Sequence, residues 1–184
     1  RIGIQPDAIV ARCEKPLEDE AIRKISLFGN VPREAVFTSY NVETIYEVPI
    51  ILEKQGLGRL ILRELRFEKT SPDLSDLEEY VRKFKESSRV LTIAMVGKYT
   101  KLRDSYISII EALSHSATHN HCRVKLKWIE ATLVERNEIR VEEELADVDG
   151  VLVLPGFGKR GVKGKIKAIK YARERNIPTL GICF

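Results

Sequence analysis

The sequence predicts an α/β protein of two domains, the second a doubly wound, mostly parallel open sheet that is incomplete within these residues. Three observations predict it. Apolar runs of strand length alternate with longer runs of helical period, the connections between them are short, and the runs 91–96 and 150–154 end at glycines, Gly97 and then Gly156 and Gly158. A parallel sheet of this kind gathers its sites beyond the carboxyl ends of its strands. At 184 residues and 43% hydrophobic content, the chain can bury a core.

The elements follow in order. Ala8-Ile9-Val10-Ala11 reads as a strand and 18–28 as a helix, closed by the turn Gly29-Asn30-Val31-Pro32. Ala35-Val36-Phe37-Thr38 is a second short strand. Residues 45–55 have helical spacing with Pro49 as a flaw and Gly56 as a stop, and 57–65 suit another short helix. Residues 1–65 thus form the expected first domain. Composition turns polar over 66–89, the expected linker, with a loop at Glu68-Lys69-Thr70-Ser71-Pro72-Asp73 and a charged helix over 75–85. Ser75 and Glu78 offer that helix a capping box.

The second domain is expected over 90–184. Leu91-Thr92-Ile93-Ala94-Met95-Val96 is a buried strand, and Asp104 opens a helix that places Ile107, Ile110, Leu113 and Ala117 on one face. Val124, Leu126 and Trp128 alternate along the next strand, 142–148 suits a short helix, and Gly150-Val151-Leu152-Val153-Leu154 is apolar enough for a sheet covered on both sides. A basic helix follows, with Val162, Ile166, Ile169 and Ala172 as its core stripe. Thr179 to Ile182 makes the last strand.

Net charge is +4, divided into +7 over 155–184 and −3 over the rest. The lysines of the basic helix fall between its apolar positions and read as a solvated face, and no aromatic residues interleave with them as single-strand binding would need. No nucleic-acid partner is expected. Three cysteines without a CxxC pair point to a reducing compartment, read as the cytoplasm. No run reaches the roughly 18 apolar residues of a membrane span. The first residues carry neither an initiator methionine nor a signal-peptide core, so the chain reads as an internal piece of a longer one. His115, His119, His121 and Cys122 cluster at a helix end, but no HExxH or zinc-ribbon spacing accompanies them, and no metal site is expected.

Cys183 is the sharpest chemical feature. It follows a short apolar strand where the chain should turn into a helix, the setting of a nucleophile elbow, in which the side chain projects above the sheet and helix N–H groups favour the thiolate. Alone, it is equally a core cysteine. Gly156 and Gly158 flank Phe157 at the end of the neighbouring strand, where glycines let backbone N–H groups approach a developing oxyanion. An ordinary glycine turn would look the same. Together the two loops point to acyl transfer through a thioester, with no base in sight.

The stretches Val153-Leu154-Pro155-Gly156-Phe157-Gly158-Lys159-Arg160-Gly161 and Asn176-Ile177-Pro178-Thr179-Leu180-Gly181-Ile182-Cys183 resemble the glutaminase domain, a class I triad-type amidotransferase, of the CTP synthase family. Val96-Gly97-Lys98-Tyr99 onward resembles that domain's opening strand and loop. Upstream, Gln5-Pro6-Asp7, Lys24-Ile25-Ser26-Leu27-Phe28, Asn30-Val31-Pro32 and Ile45-Tyr46-Glu47-Val48-Pro49 resemble the end of the family's synthetase, or amidoligase, domain. The resemblance implies CTP made from UTP, ATP and glutamine, with Cys183 as nucleophile and Gly156 and Phe184 as oxyanion donors. It places Lys24 at the pyrimidine nucleotide and Tyr40, Asn41 and Val42 at the ATP adenine, with Arg12 in a weaker position nearby. It also implies Mg2+ held by carboxylates before residue 1, triad His and Glu residues beyond residue 184, GTP as an effector, and dimers that assemble to tetramers. Three positions depart from the family pattern: the Gly156 loop has one glycine fewer, Phe184 stands for leucine, and Tyr40-Asn41 for Lys-Asp. These 184 residues alone are expected to be inactive. The rival readings are another class I amidotransferase and a non-catalytic flavodoxin-like binding module.

Overall fold

The computed structural model describes residues 3–68 and 70–183, in two compact units, Arg1–Arg82 and Lys83–Phe184. In the first unit, β1 (Ile9–Arg12) and β2 (Val36–Ser39) pair in parallel, Ile9 opposite Val36 and Arg12 opposite Ser39, joined through α1 (Asp19–Gly29). Asn30 closes α1 in the left-handed conformation (φ 52°), its amide returned to the Ser26 carbonyl. Helices α2 (Glu47–Lys54) and α3 (Leu57–Glu64) follow, turned against one another at Gly56 (φ 91°). Pro49 does not break α2 because it lies in the first turn, where the missing N–H has no intrahelical acceptor to lose. Val31, Ala35, Val36, Phe37 and Leu60 form the core, with Ile22, Ile25 and Leu52 against it.

Helix α4 (Ser75–Glu86) contains the boundary between the units. At its entry Asp73, not the anticipated Ser75 side chain, accepts a helix amide, that of Ser75, at 3.0 Å. The hydrogen bonds from Ser75 hold the Asp73 carboxyl below its ordinary value.

The second unit is a four-stranded parallel sheet in the order β4-β3-β5-β6, built from β3 (Arg89–Gly97), β4 (Cys122–Glu130), β5 (Gly150–Val153) and β6 (Thr179–Gly181). Alternation along the strands feeds two cores. Met95, Leu152, Leu154, Leu126 and Trp128 meet α5 (Ile107–His119) on one face. Ala94, Val96, Ile129, Val151 and Val153 meet α6 (Ala131–Glu135), α7 (Val141–Glu144) and α8 (Val162–Glu174) on the other. The sheet is therefore doubly wound, as its sequence predicts.

Three local expectations fail for identifiable reasons. Residues 103–106 form a 3₁₀ turn ahead of α5, which shifts the helical phase, so Tyr106 is buried on the inner face and Ile107 is exposed. The helix expected over 142–148 is the single turn α7, and α6, which the sequence did not announce, follows β4 without a break. On α8 the buried positions are Gly164, Lys165, Ala168 and Ala172, whereas Ile166 is 51% exposed. The face is displaced because a Cβ at Gly164 would run into the Ala131 backbone, 2.8 Å from its carbonyl carbon, so only small residues fit against α6.

Candidate active site

Strands β5 and β6 are hydrogen-bonded neighbours, with Val153 opposite Gly181, and the ladder continues through the Ile182 amide to the Val153 carbonyl at 2.9 Å. The loop 155–158 and Cys183 therefore leave the sheet side by side, about one strand spacing (~4.8 Å) apart at their roots. Cys183 is exposed and sits in the left-handed region at φ 57°. That conformation costs a non-glycine residue roughly 1–2 kcal/mol, and the sharp turn it makes is what an elbow requires.

The loop itself is held from inside. Gly158 turns it at φ 79°, and Phe157 stands 94% exposed above the surface. Lys98, which follows β3 directly, is 1% exposed and donates from Nζ to the carbonyls of Phe157 (2.6 Å) and Gly158 (2.9 Å). Lys165, in the second turn of α8 and 3% exposed, donates from Nζ to the Leu154 carbonyl at 2.7 Å. Tyr106 in turn donates to the Lys98 carbonyl at 2.5 Å. Burial raises the Tyr106 phenol above its ordinary value, with help from the charge of Glu130 and from Tyr99. A cleft of about 210 Å3 lies here, lined by Gly156, Phe157, Gly158, Lys159, Val162 and Lys165.

Electrostatically the site is cationic. Burial first, and the Lys98 ammonium second, push the Lys165 ammonium below its ordinary value, while Cys183 in its charged form acts in the opposite direction. Glu130, at the end of β4, accepts from the hydroxyls of Thr100 and Thr132, each at 3.0 Å.

The other residues singled out in the sequence fall elsewhere. Lys24 is exposed on α1 and pairs with Glu20 at 2.7 Å. Tyr40, Asn41 and Val42 form the loop leaving β2, where the Asn41 side chain accepts from Arg12 at 2.5 Å, bringing those two residues together at the carboxyl ends of β1 and β2. Phe184 lies outside the described residues. His115, His119 and Cys122 lie near the amino end of β4, the edge of the parallel sheet opposite Cys183. Among the described residues no three His, Cys, Asp or Glu side chains gather as a metal would need.

Residues 1–67 match the family described as CTP synthase N-terminus, and residues 101–184 match glutamine amidotransferase class-I. The CTP synthases of Aeropyrum pernix and Saccharolobus solfataricus are 54% and 55% identical to the whole of this chain. That of Thermococcus gammatolerans is 56% identical over 183 residues. The chain belongs to the CTP synthase family. It spans about a third of the length of these relatives, 34% in Aeropyrum pernix and 35% in Saccharolobus solfataricus. Among solved structures, a Trypanosoma brucei CTPS glutaminase domain with bound acivicin is 34% identical, covering 50% of this chain and 35% of that one, with a TM-score of 0.46. The two family matches follow the order in which the two units occur, and the loop 155–158 and Cys183 lie in the amidotransferase match. Lys98 and Lys165 escaped the sequence reading, Lys98 as part of a loop motif and Lys165 as one lysine of a solvated face.

Proposed function

We propose that this chain is part of an ATP-dependent ligase that aminates UTP to CTP with ammonia released from glutamine, and that Cys183 releases it. The reading rests on one observation above all, the left-handed Cys183 at the carboxyl end of β6 beside the Gly156 loop of β5. Cys183 Sγ adds to the side-chain carbonyl carbon of glutamine, and the carbonyl oxygen takes up the negative charge opposite the Gly156 and Phe184 N–H groups. The C–N bond then breaks as the nitrogen gains a proton, leaving ammonia and a γ-glutamyl thioester that water cleaves to glutamate. The proton carrier belongs to the protein outside these 184 residues, since the histidines here flank the opposite sheet edge.

In the same reading, 1–65 are the tail of the synthetase domain, 66–89 a linker and 90–184 the first half of the glutaminase domain. Tyr40, Asn41 and Val42 meet the ATP adenine with Arg12 steadying Asn41. Lys24 meets the pyrimidine nucleotide; its exposed pair with Glu20 is worth about 0–1 kcal/mol and is readily exchanged for a phosphate. The Mg2+ carboxylates, in the same reading, belong to the part of the protein before residue 1. GTP as effector, a dimer-to-tetramer assembly and a cytoplasmic location complete the proposal. In the full-length protein, Cys183→Ala should abolish glutamine-dependent CTP formation and spare the ammonia-dependent reaction. Loss of both, or of neither, refutes the assignment.

A further inference from the structure

Lys98 and Lys165 are the two most deeply buried lysines of the second unit, and the glutamine reaction as derived above uses neither. Two ammoniums in one apolar interior repel one another and give up their hydration, which a fold tolerates only where the charge is answered. Among the described residues neither makes an ion pair with a carboxylate. Their visible partners are neutral carbonyls of one segment, those of Leu154, Phe157 and Gly158. Because peptide planes are trans, a carbonyl drawn toward Lys98 turns the N–H of the next residue the other way, so Lys98 fixes the Gly158 and Lys159 amides pointing away from its own ammonium. A Cβ built on Gly156 would lie 3.6 Å from Lys98 Cδ and 3.9 Å from Lys165 Nζ, so the Lys98 stem and the Lys165 ammonium both lie close to the residue that carries the oxyanion amide.

We infer that Lys98 and Lys165 form a buried cationic floor to the Cys183 site, positioning the 154–158 segment through its carbonyls and leaving their charge to be answered by the anion that forms at Cys183 during glutamine attack. This rests on the function proposed above and adds two positioning residues to it. The floor favours the thiolate and the tetrahedral oxyanion over the neutral amide substrate, so its contribution is to turnover and not to glutamine binding.

The test uses the full-length protein with Lys165→Met, Lys165→Gln and Lys98→Met, beside Cys183→Ala. Lys165→Gln keeps a donor for the Leu154 carbonyl and removes the charge. The expected result is a fall of about 10²-fold in the glutamine-dependent kcat for both Lys165 variants and for Lys98→Met, a glutamine KM within about threefold, and ammonia-dependent CTP formation within about twofold. An aldehyde analogue of glutamine, to which the Cys183 thiolate adds to give a tetrahedral hemithioacetal oxyanion, should lose affinity in step with kcat/KM across the series. A glutamine-dependent kcat near wild type in Lys165→Gln overturns the inference. So does a parallel loss of ammonia-dependent and glutamine-dependent activity in all three lysine variants, which would mark them as packing residues. Glutamine-dependent activity surviving in Cys183→Ala refutes the functional reading itself, and so separates the two failures.

Discussion

Replacing Gly164 by alanine tests the packing that aims α8 at the site. A methyl group there would run into the Ala131 carbonyl group, onto its oxygen and 2.8 Å from its carbon, and would stand 3.0 Å from the Glu135 amide nitrogen. Both obstacles are backbone, so no side chain can swing aside. Carbon–carbon contacts settle near 3.5–4.0 Å and the carbonyl oxygen obstructs more closely still, so α8 would have to withdraw from α6 by at least ~1 Å, forfeiting a quarter to a half or more of each contact's attraction along the seam. Overpacking of this kind costs about 1–3 kcal/mol. Alanine's better helix propensity returns about 1 kcal/mol. The net expectation is a loss of about 0–2 kcal/mol, each kcal/mol lowering Tm by roughly 4–8 °C for a domain of about 100 residues. Urea unfolding followed by hydrogen–deuterium exchange in the peptides of α6 and α8 measures it. A raised midpoint, as at an ordinary exposed helix glycine, would refute the close approach of the two helices.

Two further outcomes follow from the same geometry. Cys183→Gly should be more stable than Cys183→Ala by about 1 kcal/mol in differential denaturation, because glycine adopts φ 57° without the Cβ penalty; equal stability would mean that the elbow is unstrained. Lys165 has a folded-state value below its unfolded one, so across that window the unfolded chain binds more protons and wild-type stability rises with pH. Below the window the penalty is complete, so Lys165→Met should unfold at equal or higher urea than wild type at neutral pH, with the gain shrinking towards pH ~10.4, the ordinary lysine value. A variant less stable at neutral pH than at alkaline pH, relative to wild type, reverses the sign and refutes the buried charge.

How much of the fold could be read in advance depended on whether burial and local pattern agreed. The strands β3 and β5 were legible because a parallel sheet buried on both faces demands near-continuous apolar runs, which 91–96, interrupted only by Thr92, and 150–154 display. Cys183 was legible because an elbow is a local device, one residue between a strand and a turn. Helix α6 was not: at five residues it has no period to detect, and it leaves β4 directly, with Thr132 turned back onto Glu130 instead of a glycine or proline marking the corner. Ile107 was misplaced because hydrophobic spacing assumes 3.6 residues per turn, while the turn over 103–106 is 3₁₀.

The displaced face of α8 shows why the lysine floor was hidden. Hydropathy ranks Ile166 above Lys165, so a period search seats the isoleucine inward, one residue or about 100° away from the observed face. The packing criterion here was size. Helix α6 presents its backbone to α8, and Gly161, Gly164, Ala168 and Ala172 recur at intervals of three and four to let it approach. Once those small residues fix the rotation, Lys165 must point inward, and its four-carbon stem is long enough to cross the apolar layer and deliver an ammonium to the Leu154 carbonyl at 2.7 Å. The small-residue spacing was therefore the signal that could have found Lys165. The close approach that gives α8 its glycine and alanine face is also what aims a buried charge at the carboxyl end of β5, beside Cys183.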